Sequence, residues 1–142
     1  MTKLVVDASV VIKWFLPEPL SAEARPILDA YQSGSLSLAA PDLINAEVGN
    51  IVWKKQRFQN LGAADASAVI DGFLKLAISL VPTARLLEDA YLLAVTHQRT
   101  VYDSLYLALS IREACQFVTA DERLVNAVRP ALPGVIWVAN WP

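Results

Sequence analysis

Cysteine and histidine are almost missing: Cys115 and His97 each stand alone among 142 residues. A single thiol forms no intramolecular disulfide, and one residue of each kind makes no Cys/His cluster for zinc. Cys115, in an apolar context, reads as a buried inert thiol in a reducing compartment. Glycine is scarce too, at five residues, and none belongs to a Gly-x-x-x-x-Gly-Lys, Gly-x-Gly-x-x-Gly or Gly-x-Ser-x-Gly pattern. Phosphate-loop, dinucleotide and serine-elbow chemistry are therefore excluded. No apolar run approaches the ~20 residues of a membrane span. Met1-Thr2-Lys3 runs straight into Leu4-Val5-Val6 without the h-region and cleavage site of a signal peptide. These absences lead us to expect a soluble cytoplasmic protein with no membrane partner. Charge excess is lacking as well: twelve Lys and Arg against fourteen Asp and Glu give a formal net charge of -2. That balance does not advertise a nucleic-acid binder, although a local basic patch suffices to meet phosphate.

Apolar residues, in contrast, make up 55% of the chain. Residues 1–142 fit one domain, and the apolar excess calls for helices on both faces of a sheet or for a partner subunit, so oligomerisation is expected. Leu4-Val5-Val6 reads as a strand buried on both faces, followed at its carboxyl end by Asp7-Ala8-Ser9. A short helix then runs from Val10 to Leu16, opened by Ser9 or Asp7 and stopped by Pro17 and Pro19. Ser21 is expected to cap a helix to about Tyr31 that starts late or bends at Pro26. Leu36-Ser37-Leu38-Ala39 alternates as a second strand ended by Pro41.

Helical spacing continues from Asp42 to Phe58 and from Ala63 to about Leu76, with Asn60-Leu61-Gly62 making the two an antiparallel hairpin. Ile78 to Val81 is a third strand. A helix from about Ala84 to Gln98 carries Leu87, Tyr91, Leu92 and Val95 on one side. Leu105 to Leu109 lies in a largely apolar helix ending near Cys115, Gln116 to Thr119 is a fourth strand, and Val135 to Val138 is a last one. Strands alternating with helices indicate an α/β fold with a mainly parallel sheet of four or five strands.

Four acids occupy distinctive places: Asp7 and Asp121 after strands, Asp103 at the start of the apolar helix, and Glu47 inside an otherwise packing helix face. Right-handed crossovers bring parallel strand ends to one edge, so Asp7 and Asp121 can meet there, and helix N-termini can add Asp103 and Glu47. Carboxylates converging on one pocket repel each other unless cations neutralise them. Oxygen ligands select Mg²⁺ or Mn²⁺, which leaves metal-assisted attack of water on a phosphate ester. Taken singly, each acid has an ordinary use. Asp7 and Asp121 suit N-caps, Asp103 suits a helix dipole, and Glu47 can reach solvent.

Four ordered blocks, Leu4 to Ser9, Pro41 to Glu47, Tyr102-Asp103-Ser104-Leu105-Tyr106-Leu107-Ala108-Leu109 and Val118 to Leu124, resemble PIN-domain ribonucleases, most closely the VapC-type toxins of toxin-antitoxin pairs. The resemblance implies a three-layer α/β/α fold and metal-dependent RNA cleavage. It also implies an antitoxin partner whose C-terminal segment covers the active-site groove, and a second copy of the toxin in a homodimer. By the same resemblance Asp7, Glu47, Asp103 and Asp121 form the acidic quartet, with Ser9 and Thr119 as hydroxyls beside it. Asp7, Asp103 and Asp121 would hold one or two Mg²⁺ (or Mn²⁺), Glu47 would complete the shell or orient water, and capping would pass from Asp7 to Ser9. In-line attack would leave a 5′-phosphate and a 3′-hydroxyl without a covalent enzyme intermediate.

Asn50, one turn after Glu47, is a candidate hydrogen-bond partner for it. Lys13, Lys54, Lys55, Arg57, Arg99, Arg112 and Arg123 lie near the acidic blocks and are candidate RNA contacts, set against the plain reading of a solvated surface. Trp14, Tyr102 and Tyr106 are candidates for base stacking, with packing the stronger reading for Tyr106. Trp53, Trp137 and Trp141 are expected to fill core or interface volume. Two rivals stand beside the nuclease. A phosphatase or receiver-like domain wants a second Asp where Ser9 stands, and a Lys near the later acids. A non-catalytic RNA-binding scaffold of the same fold is expected when the acids are lost, and all four are present.

Overall fold

The computed structural model describes residues 1–142. Its elements are β1 (Thr2–Val6), α1 (Ala8–Val11), α2 (Ser21–Gln32), β2 (Leu36–Pro41), α3 (Leu43–Phe58), α4 (Ala63–Lys75), β3 (Ser79–Val81), α5 (Leu87–His97), α6 (Val101–Arg112), β4 (Gln116–Thr119), α7 (Glu122–Val128) and β5 (Val135–Trp137). Single 3-10 turns follow α1, β3 and β5. All four strand pairings are parallel, in the order β3-β2-β1-β4-β5. The chain builds outward from β1 through β2 to β3, then returns to the other side of β1 for β4 and β5. The reversal falls between β1 and β4, and in such sheets ligands bind beyond the carboxyl ends of the strands at that point.

Leu4, Val5 and Val6 are fully buried, as expected of the central strand. Strand β2 differs from its apparent alternation. Leu36, Leu38, Ala39, Ala40 and Pro41 are all buried, because helices cover both faces in a three-layer α/β/α arrangement. Pro41 stays in the strand, in register with Val81, and the next amide, Asp42 N, bonds the Val81 carbonyl.

Helix α6 contacts β1, β2 and β4 and buries every residue from Ser104 to Ser110. Helix α5, packed against it, buries only Ala90. The face expected from Leu87, Tyr91, Leu92 and Val95 exists, but it points to water, with those residues 53% to 63% exposed. The helix packs instead through Ala90 and the partly buried Leu93.

Ser21 does not cap α2. Leu20 occupies the N-cap position at φ 71°, and Ser21 Oγ accepts from Glu18 N and reaches the Leu16 carbonyl. Helix α2 also runs through Pro26 without a late start. Pro26 and Ala22, whose carbonyl loses its partner, are both exposed, so water can satisfy that group. Gly72 on α4 allows a close approach of Phe15, since a Cβ there would lie 2.7 Å from the ring.

No helix is long and apolar enough to cross a membrane.

Candidate active site

Asp7 follows β1 directly, where the end of the strand turns into α1. It is the N-cap of α1, with Oδ1 accepting from Val10 N at 3.3 Å. Capping therefore does not pass to Ser9. Ser9 Oγ donates to Asp7 Oδ1 at 2.5 Å and accepts from Ala120 N at 3.0 Å, tying the end of β1 to the end of β4. Thr119, fully buried as the last residue of β4, donates to Asp7 Oδ2 at 2.6 Å and accepts from Asp121 N at 3.1 Å. Burial pushes the Asp7 carboxyl up to about 6, the hydroxyl and amide bonds hold it back, and the charge of Asp103 adds to the rise.

Asp121 caps α7 through a 3.1 Å bond from Leu124 N to its Oδ1. Asp103 sits in the first turn of α6, where Thr100 caps and accepts from its backbone amide. Its Oδ2 lies 3.4 Å from Arg99 Nη2. Burial raises the Asp103 carboxyl, Arg99 opposes, and the charge of Asp121 raises it further.

Glu47 projects from the first half of α3 and is half-buried. Its Oε1 accepts a hydrogen bond from Tyr106 Oη of α6. Burial raises its carboxyl, the Tyr106 bond lowers it, and the charges of Asp7 and Asp103 raise it. Burial, with the charges of Glu47 and Asp7, pushes the Tyr106 phenol far above its ordinary range, so it remains a donor.

The four acids thus come from four separate segments and act on one another electrostatically. They do not converge into a ready-made cage, since no three His, Cys, Asp or Glu side chains approach closely enough to share an ion. Each takes a local partner of its own. Asp103 Oδ1, Glu47 Oε2 and Asp121 Oδ2 accept no hydrogen bond from the protein. An all-oxygen donor set with three free oxygens and a surplus of negative charge fits a hard cation.

The remaining predicted residues divide. Asn50 is exposed and makes no side-chain hydrogen bond; Tyr106 takes the role expected of it toward Glu47. Lys13 and Lys55 clamp Glu18 at 2.9 and 2.7 Å, with side chains 10% and 19% exposed, and are committed to that triad rather than free for RNA. Burial alone would raise Glu18, but the two ammonium groups outweigh it and hold the carboxyl below its usual range. Arg99 is committed to Asp103. Arg112 closes the opposite end of α6 from Asp103 and bonds the Arg85 carbonyl. Lys54, Arg57 and Arg123 are exposed and unpaired.

Trp14 is buried, donating to the Ala24 carbonyl, so it cannot stack on a base. Tyr102 is 63% exposed beside Asp103. Trp53 is no core residue: it is 55% exposed, edge-on to Phe58, over which Arg57 lies. Sequence reasoning missed Glu18, hidden between two prolines that read only as a helix stop. It also missed the Tyr106 hydroxyl, whose signal was a polar group three residues after Asp103 in an otherwise apolar helix.

Residues 4–129 match the model of the PIN domain. The chain is 35% identical to Ribonuclease VapC3 of Pyrobaculum aerophilum, over 92% of this chain and 97% of that protein. It is 32% identical to Ribonuclease VapC1 of Mycobacterium tuberculosis, over 94% and 95%. Two crystal structures share the fold. PAE2754 from Pyrobaculum aerophilum has a TM-score of 0.66 at 23% identity, covering 96% of this chain and 91% of that one. The sarcin-ricin-loop-cleaving toxin VapC20 of Mycobacterium tuberculosis has a TM-score of 0.63 at 18% identity, covering 87% and 94%. The chain belongs to the PIN-domain family. Within it, the chain is a VapC-type member.

Proposed function

We propose that this chain is a metal-dependent endoribonuclease and the toxin of a toxin-antitoxin pair, acting in the cytoplasm. The observation that carries the reading is that four acids from separate segments leave Glu47 Oε2, Asp103 Oδ1 and Asp121 Oδ2 without a protein donor, while burial and one another's charges set Asp7, Glu47 and Asp103 against ionisation. Carboxylates so placed near the carboxyl ends of parallel strands are expected where a cation is to be held. VapC relatives named as ribonucleases support the same reading.

Asp7, Asp103 and Asp121 would hold Mg²⁺ or Mn²⁺, with Glu47 completing the shell or orienting the attacking water. The cation, when bound, supplies acidification of water and neutralisation of charge building on the phosphoryl oxygens. Ser9 and Thr119 donate their protons to Asp7, which orients that carboxylate. In this reading water attacks the phosphodiester in line, leaving a 5′-phosphate and a 3′-hydroxyl. The unpaired Lys54, Arg57 and Arg123 remain candidates for phosphate contacts, and Tyr102 for base stacking.

The exposed Leu87, Tyr91, Leu92 and Val95 support an interface with a second copy, and an antitoxin is the further partner that the reading requires.

The test is incubation with RNA in Mg²⁺ or Mn²⁺, repeated with EDTA and with Asp7→Asn. Cleavage is expected to stop with EDTA and to fall about 100-fold or more in D7N. Equal cleavage in all three overturns the metal reading, binding without cleavage favours the scaffold, and a 2′,3′-cyclic phosphate product contradicts attack by water.

A further inference from the structure

A buried phenol must place its proton on an acceptor. Tyr106 is 2% exposed, and its one acceptor is Glu47 Oε1, 59 positions away on another helix. The ring is fixed from behind, lying parallel to Phe117 of β4 with centroids 5.4 Å apart and planes 11° from each other. Glu47 makes no other side-chain hydrogen bond. A half-buried glutamate on a helix has several rotamers, and repulsion from Asp7 and Asp103 would turn this one away from them. Core filling alone would need only phenylalanine at position 106. The other tyrosines do no such work: Tyr31 bonds the Leu76 carbonyl, and Tyr91 and Tyr102 are exposed.

We propose that Tyr106 is a positioning residue for Glu47: the phenol backed by Phe117 holds Oε1 and leaves Oε2 directed at the space shared with Asp7 and Asp103. This rests on the ribonuclease reading above, in which Glu47 meets the cation or the attacking water. A hydrogen-bonded partner behind a metal-site carboxylate sets its orientation, and removing such a partner lowers affinity or activity about 10- to 100-fold.

The test pairs Y106F, which keeps the ring stack, with E47Q and the double variant. In protein labelled with ¹³Cδ-glutamate, without metal or RNA, the Glu47 resonance, assigned by its loss in E47Q, is expected to move in Y106F while the other glutamates stay. An unmoved resonance overturns the contact. Should Y106F fail to fold, E47Q reads the pair from the other side, and a single tyrosine ¹³Cζ resonance must move.

In cleavage assays Y106F is expected to lower kcat about 10- to 100-fold with KM for RNA within about two-fold of wild type. Added to E47Q it is expected to do nothing more. An equal loss in both backgrounds overturns positioning, because the hydroxyl would then act independently of Glu47. If the wild-type protein cuts no RNA, the ribonuclease reading fails, while the glutamate resonance still decides whether Tyr106 positions Glu47.

Discussion

Asp7 and Glu47 border the same space on different supports. Asp7 stands at the end of the central strand, held by a backbone amide and two hydroxyls, one of them on the neighbouring strand. Glu47 stands on α3, held by the single phenol of Tyr106, and α3 is fastened beneath it by Glu18, which Lys55 of α3 shares with Lys13. The strand-borne half of the site is built by sheet pairing. The helix-borne half depends on side chains that reach across the molecule, so it has fewer and more separable supports.

The largest expected effect on stability comes from the strand-borne half. The folded-state carboxyl of Asp7 sits near 6, above its ordinary 3.8, so the charged form opposes folding at neutral pH. That opposition fades as pH falls through about 6 and is gone below the unfolded value. In metal-free protein D7N should therefore be the more stable chain at pH 7, by roughly 3 kcal/mol at most, and the gap should close by pH 4. Thermal melts across that range check it, and a gap that widens on acidification contradicts an Asp7 carboxyl raised by burial. Divalent metal should then stabilise the wild type and leave D7N unmoved.

Next in size is the clamp under Glu47. E18Q leaves Lys13 and Lys55 in a largely buried place without their counter-charge and should cost about 2 kcal/mol in chemical denaturation. Thr119→Val removes a buried donor to Asp7 and the acceptor of Asp121 N, with an expected loss of about 1–2 kcal/mol. If the strand-borne half is the better anchored, cleavage should fall less in T119V, where Ser9 and Val10 N still hold Asp7, than in E18Q. The smallest effect is expected from Arg99→Ala. The contact with Asp103 is 3.4 Å long and both side chains are partly exposed, so stability should change by no more than about 0.5 kcal/mol.

The strands, the buried core helix and the order of the acids were legible because each depends on local pattern. Leu4-Val5-Val6 names a doubly buried strand, and Asp7, Asp103 and Asp121 each stand where an element begins or ends. The exposed stripe of α5 was legible as a stripe but not as to what it faces, because periodicity describes one helix and says nothing of its neighbour. The pairing of Lys13 and Lys55 with Glu18 and the burial of Trp14 were not legible for a related reason. Whether a long side chain is buried and paired is set by the tertiary packing around it, here around Glu18 and the Ala24 carbonyl.

The amino-acid sequence by itself determined an α/β chain whose carboxylates lie at the ends and beginnings of elements, since propensity, capping and hydrophobic period act within a few residues. Only the tertiary structure decided the strand order β3-β2-β1-β4-β5, the hydroxyl bridge from Ser9 and Thr119 to Asp7, and the pairing of Tyr106 with Glu47. These join positions as far as 112 residues apart. Such contacts form when the packed core leaves a buried polar group only one partner within reach, and no local pattern in the chain encodes that partner.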